Sequence, residues 1–185
     1  MTVAPTPRLL PIEELNRADR ARFAEALRPL FEAADPLADR LYAGRPYASY
    51  EALLDRAGGV MGELSTDDRV AIANAHPRIG EDAGVVRATS ALSYGEQGYD
   101  AETGRDAAEL GAIYATLADL NRRYEAAHGF RFVVFVNGRP KSAIPEVMRE
   151  RIGNPREREL ATALADMVSI ARDRMRTLRA AEPSC

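Results

Sequence analysis

The sequence predicts an all-α protein, a single-domain multi-helix bundle, on three observations. Apolar residues recur at three- and four-residue spacing through most of the long segments. Those segments are bounded by residues that start and stop helices, with Ser, Asp or Asn ahead of them and Gly or Pro behind. A chain of 185 residues that is 46% hydrophobic is enough for one sizeable core, and no repeat or low-complexity linker divides it.

Residues 1–11 read as an N-terminal extension, 12–181 as the helical domain and 182–185 as a C-terminal tail. Asn16 is placed to cap a helix whose buried stripe is Phe23, Leu27, Leu30 and Phe31. In "DPLADRLYAGRP", Asp35 reads as the cap, Pro36 as a first-turn residue, and Gly44 with Pro46 as terminators. The next helix starts near Ser49, uses Leu53 and Leu54, and weakens at Gly58. "STDDRVAIANAHP" sets Ser65 and Asp68 at cap positions and ends at His76. The cleanest period, Leu110, Ile113, Tyr114, Leu117, Leu120 and Tyr124, closes at Gly129 as a left-handed cap. "FRFVVFVNG" is the one β-like segment, and without an evident partner it reads as connecting or site-lining backbone. Ser142 then starts a helix through Ile152. Asn154 is set to cap the final helix, with Pro155 in its first turn and Leu160, Leu164, Met167, Ala171, Met175 and Leu178 inward. Mobility is expected in the Gly-rich region from Gly80 to Gly104.

Composition narrows the partners. A net charge of −3 mixes 28 acidic with 25 basic residues, and no run of like charge offers a footprint for nucleic acid or an anionic membrane. The one cysteine, Cys185, allows no internal disulfide or thiolate cluster and fits a reducing compartment. "MTVAPTPRLLP" lacks the basic start and apolar core of a signal peptide, and no apolar segment is long enough to span a membrane, so a cytoplasmic location is expected. Neither a phosphate-binding glycine loop nor a His-Glu-x-x-His or Cys-x-x-Cys pair occurs, which predicts a cofactor-free, metal-free inventory. "VNGRPKS" looks like an anion-binding turn feeding a helix, and Lys141 within it is the sole lysine among many arginines.

Four features carry candidate chemistry. His76 precedes a proline, which expels it from the helical region and leaves its ring at a helix end, where the dipole favours the protonated form. It reads either as a helix-stop histidine or as a general acid. His128, beside Gly129, reads as a structural C-terminal stabiliser. "SALSYGEQGYD" gathers Ser90, Ser93, Glu96 and Gln97 as one polar wall of a pocket or as a solvated loop. Arg174 sits beside the apolar stripe of the last helix, unlike Arg172, Arg176 and Arg179, and must find an anion from a ligand or from the protein itself.

Taken together, "AHPRIG", "SYGEQG", "LNRRYEAAHGFRFVVFVNGR", "RERIGNPREREL" and "IARDRMRTL" resemble, in order and separation, the 2-oxo-4-hydroxy-4-carboxy-5-ureidoimidazoline (OHCU) decarboxylases. The likeness starts near "LNRADRARFAEALRPLFE" and covers almost the whole chain after the extension. It implies an all-helical, usually dimeric enzyme that needs no cofactor and converts OHCU to S-allantoin late in urate breakdown. Carried over by position, His76 and Glu96 are the catalytic pair, and Pro77, Ser93, Gln97, Phe132, Val134 and Arg174 meet the substrate, with Arg172 a competitor for the anchor. The chain departs from the family at Ile79, often leucine, and at His128, often phenylalanine.

The carboxylate of OHCU sits on a carbon next to a ring C=N, so that bond can take the electrons released with carbon dioxide. On this likeness His76, oriented by Glu96, manages the proton, Arg174 holds an oxygen, and Ser93 and Gln97 orient the ring or ureido groups. The competing readings are a decarboxylase of a related ureido acid and a non-catalytic helical interaction module of the same fold.

Overall fold

The computed structural model describes residues 7–101 and 106–180. Gly104, Cys185, most of the N-terminal extension and the C-terminal tail named above lie outside the described residues. Among the described residues ten α-helices follow one another: α1 Ile12–Arg17, α2 Arg20–Phe31, α3 Asp35–Ala43, α4 Tyr50–Glu63, α5 Thr66–Ala75, α6 Ala83–Thr89, α7 Ala91–Glu96, α8 Ala107–His128, α9 Ile144–Ile152 and α10 Arg156–Ala180. Tyr99–Ala101 and Lys141–Ala143 form 3₁₀ turns, and no strand occurs among the described residues. The fold is all-α.

The last helix is the organising element. Leu160, Ala163, Leu164, Met167, Ile170, Ala171, Met175 and Leu178 form a continuous buried stripe along α10, and α2, α4, α5 and α8 pack on it. Each large apolar side chain so buried is worth about 1.5–3 kcal/mol against exposure, which compensates the ordering of a long helix. Around α10, α3 leans on α2, α4 and α5, α9 packs on α8, and α6 pairs with α7.

Several local signals behave as expected. The Ser65 hydroxyl accepts from Asp68 N–H at the head of α5, Ser49 accepts from Ala52 N–H at the head of α4, and Gly129 closes α8 at φ 78°. Others differ, each for a tertiary reason. Asn16 lies inside α1, and its amide exchanges two hydrogen bonds with the Tyr47 backbone, while Asp19 caps α2 through Arg22 N–H. Asp35 is the first helical residue of α3 instead of its cap. α4 does not stop at Gly58, which lies on the exposed face: Ala57, Val60 and Met61 are buried and carry the helix to Glu63. A 3₁₀ turn at Lys141 replaces a start at Ser142. At α10 the Pro155 carbonyl accepts the Glu159 N–H, and Asn154 instead donates its side chain to the buried Glu159 carboxylate.

The "FRFVVFVNG" segment has neither helix nor strand pairing and ends in a turn at Asn137 and Gly138, with Phe130, Phe132, Val133 and Val134 buried against the core. Arg131 N–H donates to Asn74 Oδ1, and Asp166 accepts from the Phe135 backbone. Beneath it lies a closed polar network the sequence did not announce, in which Tyr124 Oη, Arg151 Nε and the Asn154 amide all donate to Glu159. These contacts hold the segment where it forms one side of a cavity.

Candidate active site

His76 is placed by the end of α5. The proline after it forces extended backbone, φ −74° and ψ 137°, so the helix stops and the ring leaves its axis. The carbonyls left without helical partners there accept from the Arg131 guanidinium, which donates to Asn74 O at 2.7 Å and to His76 O at 3.2 Å. Downstream, Asn121 Nδ2 donates to Ile79 O at 2.9 Å, and Gln97 accepts from Gly80 N–H at 3.2 Å and donates to Arg78 O at 3.4 Å. Gly80, at φ 74°, passes so close to α8 that a Cβ would fall 2.8 Å from Leu117 Cδ1, which excludes any other residue without rearrangement. The loop after His76 is thereby pinned by α8 and by the residue that ends α7.

The His76 ring is buried, and its Nδ1 lies 3.3 Å from Glu32 Oε2. A carboxylate only accepts, so the proton of this contact belongs to Nδ1 and the other ring nitrogen is left for the cavity. Glu32 ends α2 in a left-handed conformation, φ 52° and ψ −139°, which costs a non-glycine residue on the order of 1–3 kcal/mol and aims its side chain inward.

Behind this pair, Arg174 of α10 is 1% exposed and fully engaged. It grips Glu96 through two bonds of 2.7 and 2.9 Å, Glu32 Oε1 through one of 2.5 Å, and Ser93 Oγ through one of 2.7 Å. Its Nη1 also reaches the last carbonyls of α2, Pro29 O and Leu30 O. Ser93 Oγ in turn donates to Glu32 at 3.3 Å. Burial alone would raise the Glu32 pKa, but the charges of His76 and Arg174 and their hydrogen bonds bring it down to about 2. Burial likewise works to lower that of Arg174, and the two carboxylates outweigh it and raise it above its ordinary value. Two carboxylates face one guanidinium, and the His76 ring lies against the second oxygen of Glu32.

A cavity of about 130 Å³ opens beside this cluster. Of the residues expected from the sequence, His76, Pro77, Glu96, Gln97, Phe132 and Val134 line it, joined by the turn from Val136 to Gly138 and by Asp173. Ser93 and Arg174 are not among its lining residues: Ser93 is wholly buried, and both stand behind the wall in the ionic cluster. Arg172 is elsewhere, paired with Asp55 on the outer face. The carboxylate that meets His76 is Glu32, not the expected Glu96, because the Glu96 carboxylate is held by Arg174. No motif marked Glu32. Its one trace in the sequence was a carboxylate at the end of an otherwise apolar helix run. His128 is buried against Tyr124 and Phe130 with both ring nitrogens lacking partners, well apart from this cluster's bonding.

Comparison with known proteins follows this geometry. The sequence model of the OHCU decarboxylase family matches residues 16–176. A 2-oxo-4-hydroxy-4-carboxy-5-ureidoimidazoline decarboxylase of Halalkalicoccus jeotgali is 28% identical over 169 residues, covering 91% of this chain and 92% of its own. Among solved structures, an OHCU decarboxylase in the presence of (S)-allantoin aligns at a TM-score of 0.63 with 22% identity, over 85% of this chain and 98% of that one. An (S)-allantoin synthase aligns at 0.62 with 18% identity, over 91% of this chain and about half, 54%, of that longer one. At these identities the two structures establish likeness of fold.

Proposed function

Because the chain belongs to the OHCU decarboxylase family and is a carboxy-lyase, we propose that its cavity converts OHCU to (S)-allantoin with His76 as the proton donor. The observation that carries this reading is the His76–Glu32 contact at 3.3 Å in the wall of the cavity. Nδ1 is held by a carboxylate whose pKa lies at about 2, so the second ring nitrogen faces the reacting carbon with its orientation set. In the step itself the bond between the ring carbon and its carboxylate breaks, carbon dioxide leaves, and the electron pair moves into the adjacent C=N. The nitrogen of that bond takes up a proton, the hydroxyl on the first carbon gives up its own as it becomes a carbonyl, and a proton from His76 reaches the ureido-bearing carbon of the former C=N from one face and sets its configuration.

The remaining residues take roles that fit their places. Phe132 and Val134, with Pro77, form apolar walls that keep water from the carbanion-like intermediate. The Gln97 amide lines the cavity while holding the Gly80 loop, so it offers the ring its remaining hydrogen-bonding capacity. Arg174, Ser93 and Glu96 act through the cluster, fixing Glu32 and hence the imidazole. A homodimer and a cytoplasmic location belong to the same reading, by the family likeness.

The test is time-resolved circular dichroism of allantoin formed from freshly generated OHCU, with wild type and with His76→Ala. Uncatalysed decay gives racemic product, so handedness is read together with rate. General acid catalysis is worth ~10²–10⁴-fold, and the variant is expected to lose about that much while keeping its helical spectrum. Slow racemic product from folded wild type would overturn the reading in favour of a related ureido acid or a non-catalytic module.

A further inference from the structure

We propose that Lys141 is a positioning residue that clamps two walls of the cavity to each other through Tyr99, holding the pocket at its working width. This rests on the cavity being the decarboxylation site. The chain's sole lysine, in the "VNGRPKS" turn, is buried. Its Nζ lies 3.6 Å from the centroid of the Tyr99 ring and 4.7 Å from that of Tyr114, and donates to Tyr114 Oη at 2.7 Å.

Each partner of this contact continues a different wall. Lys141 follows the turn in which Asn137 (φ 49°) and Gly138 (φ 71°) are both left-handed and whose residues Val136 to Gly138 line the cavity. Arg139 closes that turn on itself, its N–H and Nε donating to Val136 O and its Nη2 to Phe135 O, which stiffens the turn without tying it to the facing wall. Tyr99 follows Glu96 and Gln97 on the facing wall, and its hydroxyl donates to Glu81 O at 2.7 Å, at the end of the loop that begins with His76. Stacking on Tyr94 at 5.0 Å and Tyr114 at 6.2 Å keeps the Tyr99 ring from swinging away. An ammonium removed from water on the face of such a ring is held by the ring quadrupole, and a compact point charge fits between two tyrosines where a planar guanidinium needs another geometry.

A clamp of this kind sets how much ordering substrate binding must still bring about, so its loss appears in KM before kcat. Lys141→Met keeps the stem and removes the charge and the donor. In hydrogen exchange without substrate, peptides spanning 133–141 and 95–101 are expected to exchange faster in this variant, on the order of tenfold, with α2, α4 and α10 at wild-type rates. KM for OHCU is expected to rise on the order of tenfold with kcat within about twofold, and Lys141→Arg, which keeps the cation, to lie closer to wild type in both readouts. Unchanged exchange at 133–141, acceleration throughout the chain, unchanged KM despite a loosened wall, or equal losses in the two variants would each overturn the clamp. Inactivity of the wild type on OHCU would overturn the catalytic reading instead, and the exchange experiment would still judge the clamp.

Discussion

Replacing Glu32 by glutamine removes one buried charge and leaves nearly every atom in place. The pKa of Glu32 falls from 4.5 to about 2 in the folded protein, and at 1.36 kcal/mol per unit that is on the order of 3 kcal/mol of stability at neutral pH. The residue is fully enclosed, so solvent screening does not erode this, and the left-handed backbone costs glutamine and glutamate alike. Arg174 keeps Glu96, so the loss stays near the lower end of the ~3–5 kcal/mol of a broken buried pair. For a chain of this length the melting temperature should fall by ~6–12 °C at pH 7. A depressed carboxylate pKa stabilises the fold fully above the unfolded value and loses that contribution as pH falls through the folded value. The gap between wild type and Glu32→Gln should therefore persist at pH 7 and 6, narrow below pH 4.5, and close near pH 2, by urea unfolding at each pH. In turnover, kcat should fall on the order of 10²-fold, with most of that loss absent on a His76→Ala background because the two groups act as one. A stability gap that stays constant from pH 7 to pH 3, or wild-type kcat in the variant, would refute the coupling of Glu32 to His76.

Two further perturbations separate residues that look alike in sequence. Arg174→Met leaves the buried Glu32 and the partly buried Glu96 without their shared cation and is expected to destabilise by about 3–5 kcal/mol, whereas Arg172→Ala, losing an exposed pair with Asp55, should stay within about 0.5 kcal/mol; chemical denaturation of both reads the difference. His128→Phe removes two ring nitrogens that have no hydrogen-bond partner beside Tyr124 and Phe130, so it should stabilise by about 1 kcal/mol and raise the melting temperature by ~2–4 °C in a calorimetric scan without altering turnover.

What the sequence determined by itself is what neighbouring residues decide. The Ser65–Asp68 cap, the proline that stops α5 at His76, the left-handed Gly129 and the buried stripe of α10 all depend on side chains within a turn or two of one another, and each is where the spacing put it. That range also brought His76 and Pro77 into view as a helix stop, and Glu96 and Gln97 as part of a polar cluster flanked by glycines. Tertiary structure decided the rest. Asn16 left its cap for the Tyr47 backbone, and α4 ran past Gly58 because Ala57, Val60 and Met61 had a core to meet. Glu32 reaches His76 across 44 residues and Arg174 across 142, and only the packing of both α2 and α5 on α10 fixes those pairs. Ser93 and Arg174 stand together behind the cavity wall, because a guanidinium removed from water must be met by the hydroxyl, carboxylates and carbonyls within its reach.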